Sequence, residues 1–590
     1  MTAEGVDSGR PRRPWRGAGP ELRRVLRYLG PGRDPWGSLV LLSILVGLLS
    51  GVSAVGLRTG VHVLFHELEG LRHGWLAVLL PALGALLSVW IVAAVFREPA
   101  GHGVPQVIRA VCRGGGRMRR RGVFSLWVGS LVNVSAGGSA GLESPIVYSG
   151  ASIGSLVGTL FKTDERRRSV LLACGVAGGI SAIFNAPMTG MIFALEVVLV
   201  EWSAVSVVPI IVCSISATEV SRLILGNEKS FLDASFSMGV PDLGACVLLG
   251  LGLGLASVAL TRLVDVLGGL AGRMPGGRLG APLLFGLGVG GLGLLAPRAV
   301  GEGYGTVVAA IGPQGLEAGL WLCVGLAAAK LLATGLTLGS GAPGGVFAPC
   351  LVLGSILGTL FHRAASAVTA GSVPLGLEGS YALVGMAGVV AGVMQAPLTG
   401  ILLVMEVTGG YEVILPLMIV SVLALLVARR FDPYGIYTKE LAAEGDLLRP
   451  GTDRRILSEI RVEEALDRDV TPVGQDMTLR EVIDVVKSST RSQFPVVDPE
   501  TQEFLGLLDL RHLRELLFDP DLAAITLVGT VMIPDPPTAA LRDSLARAVE
   551  IFDRTGAWVL PVLDGPRFAG LLSKASLFDH YRHELSVQAP

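Results

Sequence analysis

The chain has 590 residues, of which 51% are hydrophobic and only 16% charged, with 80 glycines and a formal net charge of -1. With a mean hydropathy of +0.60, this composition excludes an ordinary soluble enzyme and describes a polytopic membrane protein. The near-zero net charge carries no information on partners because the charges are unevenly placed, and no nucleophile–base set or metal-ligand cluster stands out, so an enzyme is not expected.

In chain order, residues 1–36 form a basic N-terminus in which Arg10, Arg12, Arg13, Arg16, Arg23, Arg24, Arg27 and Arg33 precede the first apolar run, Leu39–Leu57. That run lacks a small-residue cleavage site, so it is not a signal peptide. The positive-inside rule places this end in the cytoplasm, and the span that follows directly argues against a nucleic-acid arm. From about 37 to 437, apolar segments alternate with glycine and proline breaks. The six cysteines are scattered, without CxxC spacing, and are expected to pack rather than to form disulfides or bind zinc.

The most informative residue in this part is Glu143, within the apolar stretch Ala136-Gly-Gly-Ser-Ala-Gly-Leu-Glu143-Ser-Pro-Ile-Val. A carboxylate inside a membrane domain is a functional-site hypothesis by default. Here it precedes a helix expected to begin near Ser144-Pro145, and a helix N-terminus is a natural anion site. A related stretch without the carboxylate follows at Gly339-Ser-Gly-Ala-Pro-Gly-Gly-Val-Phe347-Ala-Pro349. The domain also repeats internally. Gly175, Pro187 and Glu196 of Gly175-Val-Ala-Gly-Gly-Ile-Ser-Ala-Ile-Phe-Asn-Ala-Pro187-Met-Thr-Gly-Met-Ile-Phe-Ala-Leu-Glu196 each have a partner 210 residues on, at Gly385, Pro397 and Glu406. Gly101-His-Gly103 is echoed by Gly301-Glu-Gly303. Two homologous halves with broken apolar segments predict a transporter or channel whose site lies where the halves meet.

After residue 437 the chain turns polar, with a linker over 438–462 and α/β character over 463–590. A second repeat appears there: Phe494-Pro-Val-Val-Asp498 with Gly506-Leu-Leu-Asp509, then Leu560-Pro-Val-Leu-Asp564 with Gly570-Leu-Leu-Ser573. Helical stretches are expected ahead of these strands, over Leu479–Val486 and Leu541–Phe552.

Gly101-His-Gly-Val-Pro105, Gly141-Leu-Glu-Ser-Pro145, Gly345-Val-Phe-Ala-Pro349 and Ile436-Tyr437 resemble, in order, the signature segments of the CLC family of chloride channels and chloride/proton exchangers. The C-terminal repeat resembles a tandem CBS pair. The resemblance implies an all-α polytopic membrane domain of two inverted repeats, about 37–225 and 240–437, with broken and partial helices, followed by a small cytosolic α/β CBS module. It implies a homodimer in the lipid bilayer of a cell membrane, both termini cytoplasmic, with one chloride path per subunit. Glu143 takes the place of the family's gate. When ionised it fills the anion site; when protonated it swings away. The resemblance assigns anion binding to the helix starts at His102, Gly103, Gly141, Leu142, Val346 and Phe347 and to the hydroxyl of Tyr437. Physically, backbone N–H groups at helix starts offer partial positive charge without trapping the ion.

Several residues depart from the family pattern. His102 replaces a serine, Leu142 an arginine and Ser144 a glycine. Val197 stands where family exchangers usually hold a relay carboxylate, with Glu196 one residue earlier. The sequence therefore leans towards a passive channel, with a proton-coupled exchanger and a fluoride-exporting relative as alternatives. No cofactor is expected, except that Ser573 and Asp509 are candidates for contacting an adenine nucleotide at the CBS pair; the other reading of that pair is a dimerisation module.

Overall fold

Glycine and proline interrupt the apolar chain so often that its helices stop and restart inside the membrane domain. The computed structural model describes residues 35–588 apart from 100, 114, 228–237, 275–278, 313–314, 317–318, 370–371, 445–456, 458–459 and 490. The basic stretch 1–34 and much of the expected linker lie outside the described residues.

The first half comprises α1 (Pro35–Glu67), α2 (Leu76–Trp90), α3 (Val104–Cys112), α4 (Ser125–Ser135), α5 (Glu143–Leu160), α6 (Glu165–Phe184), α7 (Pro187–Phe193) and α8 (Ala204–Leu225). The second half repeats the series as α9 (Val240–Ala271), α10 (Gly280–Leu295), α11 (Tyr304–Ile311), α12 (Leu320–Gly339), α13 (Phe347–Val368), α14 (Glu378–Met394), α15 (Pro397–Thr408) and α16 (Ile414–Phe431). Among the described residues, 8 helices are long and apolar enough to cross a membrane. The short α3, α7 and α11 are not, and such partial spans persist only where protein or water covers their ends.

The breaks have local causes. Asn185 (φ 54°) and Gln395 (φ 56°) adopt the left-handed conformation that ends α6 and α14. Pro187 and Pro397, which suit a first helical turn, then start α7 and α15. Close crossings are also duplicated. A Cβ on Gly150 would lie 2.1 Å from the Gly175 carbonyl oxygen, and one on Gly354 would lie 2.4 Å from that of Gly385, so α5–α6 and α13–α14 pack backbone to backbone.

Reciprocal contacts define how the halves are related. Glu196 accepts hydrogen bonds from the Leu398 and Thr399 amides and the Thr399 hydroxyl. Glu406 accepts the equivalent three from Met188 and Thr189. Gly141 and Gly345 likewise exchange N–H···O=C bonds, both 2.8 Å long. Such exchange requires an approximate twofold rotation; a translation would give each contact only once.

The described residues of the C-terminal part, from 457 onwards, form a separate compact unit. Strand β1 (Val473–Gly474) pairs parallel with β2 (Gln493–Val497), which pairs antiparallel with β3 (Phe504–Asp509). The same order recurs in β4 (Ala539–Ala540), β5 (Val559–Asp564) and β6 (Arg567–Ser573). Thr478 caps the helix Leu479–Lys487 in a capping box with Glu481. The second helix runs Leu545–Thr555 rather than starting at Leu541, because Ala539–Ala540 joins the sheet and Ser544 supplies the cap. Ile460 and Val462, which the sequence placed in the linker, pack in the core of the second repeat with Leu545, Phe552 and Leu560.

Candidate anion pathway

Three helix starts converge, as their Gly-x-x-x-Pro spellings predict. Gly103 (φ 79°) precedes α3, and a Cβ there would meet Tyr148 at 3.0 Å and the Ser144 carbonyl at 3.4 Å, so α3 begins against the first turn of α5. A Cβ on Gly345 would stand 3.0 Å from the Ser144 amide and 3.1 Å from Glu143 Oε2, so the start of α13 abuts the same turn. Val346 and Phe347 are buried at that start, with the Phe347 ring 5.3 Å from that of Phe184. Tyr437 is buried too and faces the Ser144 side chain. The Ile436 amide donates to Val393 O, which docks the tyrosine segment on the end of α14. The structure thus brings together Gly103, Glu143, Val346, Phe347 and Tyr437, and adds Ser144. His102 lies beside the Gly344 backbone. His102 Nδ1, Ser144 Oγ and Glu143 Oε2 are buried atoms without a hydrogen-bond partner among the described residues.

Two expectations change. The helix expected near Ser144-Pro145 begins one residue earlier, at Glu143 itself, so the carboxylate sits in the first helical turn. Gly141 is not an anion donor: its amide is taken by the Gly345 carbonyl. Its lack of a side chain matters instead, since a Cβ there would lie 2.0 Å from Glu143 Oε2. Leu142 is buried and lines the cavity described next.

Glu143 is 3% exposed, yet it borders a cavity of about 1000 Å³. Arg58, His62, His66 and Arg298 line that cavity together with Glu302 and Tyr304. The positive charge that Leu142 does not provide therefore comes from other elements. The Tyr304 hydroxyl donates to Glu143 Oε1 at 2.8 Å. Behind it, Lys330 is 1% exposed and donates to Gly301 O at 2.9 Å and Ser139 Oγ at 3.1 Å. Sequence reasoning missed both residues. Tyr304 directly follows the echoed Gly301-Glu-Gly303, and Lys330 is a lone cation in an apolar run; these were the available signals. It also missed Glu98, a carboxylate 4% exposed that accepts from the Ser125 hydroxyl and from Tyr148 OH at 3.2 Å.

Val197 is buried, and neighbouring Glu196 is held by the opposite half as described above. In the C-terminal unit, both candidate nucleotide contacts have partners within the unit. Asp509 accepts from Arg511 at 2.6 Å and Gln493 at 2.7 Å, and the Ser573 hydroxyl accepts from the Ser576 amide at 3.0 Å. Burial alone would raise the Asp509 carboxyl, but the Arg511 and Gln493 bonds outweigh it and hold it down at about 2.

Known proteins agree with this architecture. The family described as voltage gated chloride channel matches residues 84–429, and CBS domains match 462–519 and 528–583. The H(+)/Cl(-) exchange transporter ClcA of Cronobacter sakazakii is 33% identical over 69% of this chain and 89% of its own length. The crystal structure of a slow cyanobacterial Cl-/H+ antiporter superposes with a TM-score of 0.62 at 26% identity, over 70% of this chain and 99% of its own. A eukaryotic CLC transporter matches in fold, with a TM-score of 0.62 at 21% identity over 91% of this chain and 97% of its own. With its paired helix starts around Glu143 and its C-terminal CBS pair, the chain belongs to the CLC family of anion-transporting membrane proteins.

Proposed function

We propose that this protein moves chloride along a path in each subunit of a homodimer, in exchange for protons, with Glu143 as the gate. The observation that carries the reading is Glu143 on the first turn of α5, with one face towards the Val346–Phe347 helix start and the other on a cavity lined by arginine and histidine. A chloride ion entering that cavity meets favourable charge, then a carboxylate occupying the place it must take. Protonation neutralises the carboxylate and releases it. His102 and Ser144, with unpartnered polar atoms, and the Tyr437 hydroxyl are the side chains that would face the dehydrated ion. Relatives named as chloride/proton exchangers favour exchange.

A passive channel is the second reading. It is favoured by Val197 in the usual relay position and by the bonding of Glu196 to Leu398 and Thr399. Liposomes with a chloride gradient as the only driving force separate the two: stoichiometric uphill proton movement supports exchange, and chloride flux without it supports the channel. Replacing chloride by fluoride in the same assay tests the fluoride alternative. For the gate itself, Glu143→Gln keeps the volume and removes the charge. Chloride passage should persist and lose its pH dependence; a variant that retains the wild-type pH curve removes Glu143 from the mechanism.

A further inference from the structure

We propose that Tyr304 is a positioning residue that latches the ionised gate in its closed place, and that breaking this one hydrogen bond opens the path at higher pH. The inference rests on the reading of Glu143 as the gate. Tyr304 opens α11 in the second half of the chain, 161 residues from Glu143, and donates its phenol to Oε1 at 2.8 Å. It is the one side-chain hydrogen bond to this carboxylate among the described residues, since Oε2 has none.

The latch is rigidly mounted. Gly303 takes φ 82°, and a Cβ there would meet Val352 at 2.9 Å and Lys330 Nζ at 3.3 Å, so the turn before Tyr304 is held in place. Lys330 ties Gly301, three residues before the phenol, to Ser139, four residues before the gate. One ammonium therefore fixes the relative position of latch and gate. The cavity, which Tyr304 and Glu143 both line, gives the released carboxylate somewhere to go.

A phenol donating to a carboxylate favours the ionised form. The protonated acid needs no such donor, so the bond weakens as the gate is neutralised and the side chain leaves. Other titratable groups surround the pair: Glu302 on the same loop, Arg58 on α1, Lys330 on α12, Cys350 on α13 and Tyr437. His62, His66 and Arg298 line the cavity as well. These groups set the background field, but they do not share the hydrogen bond, so changing Tyr304 alone isolates it.

The test measures chloride flux against pH in liposomes containing the full chain. Tyr304→Phe should move the midpoint of the curve towards alkaline pH by about one unit, the scale of one charge-assisted hydrogen bond, and raise flux on the alkaline side. In a Glu143→Gln background the same change should do nothing. An unshifted Tyr304→Phe curve overturns the latch, and so does a shift that survives in the Glu143→Gln background. If Glu143→Gln alone fails to flatten the curve, the gate reading fails, and that outcome is distinguishable. Should Tyr304→Phe not fold, 3,5-difluorotyrosine placed at residue 304 decides. It has almost the same shape and is a stronger donor, so the midpoint should move towards acid; no movement overturns the proposal.

Discussion

Glu196 and Glu406 are twins, and that equivalence makes the role of Glu196 testable. The Glu196 carboxylate accepts from Leu398 N at 3.1 Å with one oxygen, and from Thr399 N and Oγ1, both at 2.8 Å, with the other. Glu406 accepts from Met188 N at 2.9 Å and from Thr189 N and Oγ1, both at 2.8 Å. A Glu→Gln change at either site keeps an oxygen for the threonine pair but turns an NH2 towards the remaining backbone donor. One charge-assisted bond is lost and the other two are weakened, a cost of about 2–3 kcal/mol including the lost charge at a helix N-terminus. By symmetry, Glu196→Gln and Glu406→Gln should cost nearly the same and lower the melting temperature of the purified protein by similar amounts. Whatever ratio of protons to chloride the wild type shows, both variants should keep it. The assay pairs thermal unfolding in detergent with simultaneous chloride and proton flux in liposomes. A Glu196→Gln protein that keeps its stability but loses proton movement, while Glu406→Gln does not, refutes the structural assignment and makes Glu196 a relay.

Two further outcomes follow from local geometry. Gly141→Ala places a methyl 2.0 Å from Glu143 Oε2, and the cheapest relief is for that flexible carboxylate to leave its closed position; chloride flux at alkaline pH should rise several-fold towards that of Glu143→Gln, and unchanged flux in a folded variant counts against the closed geometry. In the C-terminal unit, Asp509 is held at about 2 against an ordinary 3.8. A depressed carboxylate stabilises the fold above its unfolded pKa and loses that contribution as pH falls towards 2. With Arg511 half exposed, the contribution is about 1 kcal/mol after screening. Asp509→Ala should speed hydrogen exchange over residues 493–511, relative to the wild type at the same pH, near neutral pH and not near pH 2, and the same ratio of variant to wild type at both extremes counts against it.

What was legible in the chain is what a local backbone conformation demands of residue type. Gly103, Pro187 and Pro397 mark helix starts because a left-handed turn or a first helical turn admits few residues there, and the structure places those starts where their spelling indicates. Glu143 stood out because a carboxylate in an apolar stretch needs a reason. The contacts that crossed the halves were not legible. Tyr304 reaches Glu143 across 161 residues, and the echoed Gly301-Glu-Gly303 before it marks a turn without naming the partner. Gly141 shows the same limit from the other side. Its glycine was read as an amide left free for an anion, but that amide pairs with Gly345, and what the glycine provides is room for the Glu143 carboxylate.

The twofold relation sharpens the question of proton entry. Aligning the first half on exchangers leaves Glu196 one residue short of a relay, and the sequence alone leaves a displaced relay and a structural acid both open. The second half favours the structural acid. A relay is needed on one side of the membrane only, so a twin in the mirrored position has no proton to carry, yet Glu406 makes the same three hydrogen bonds to Met188 and Thr189. A common cause for both residues is the clasp between α7 and α15, which each half contributes once. On that account an exchanger would bring protons to Glu143 without a carboxylate at position 197 and without Glu196, which is the outcome the paired Glu196→Gln and Glu406→Gln fluxes check. Among the described residues of the membrane domain, two buried acids remain outside both the clasp and the cavity at Glu143: Glu98, hydrogen-bonded to Ser125 and Tyr148 four residues before His102, and Asp242, which accepts from Tyr381 and the Gly376 amide.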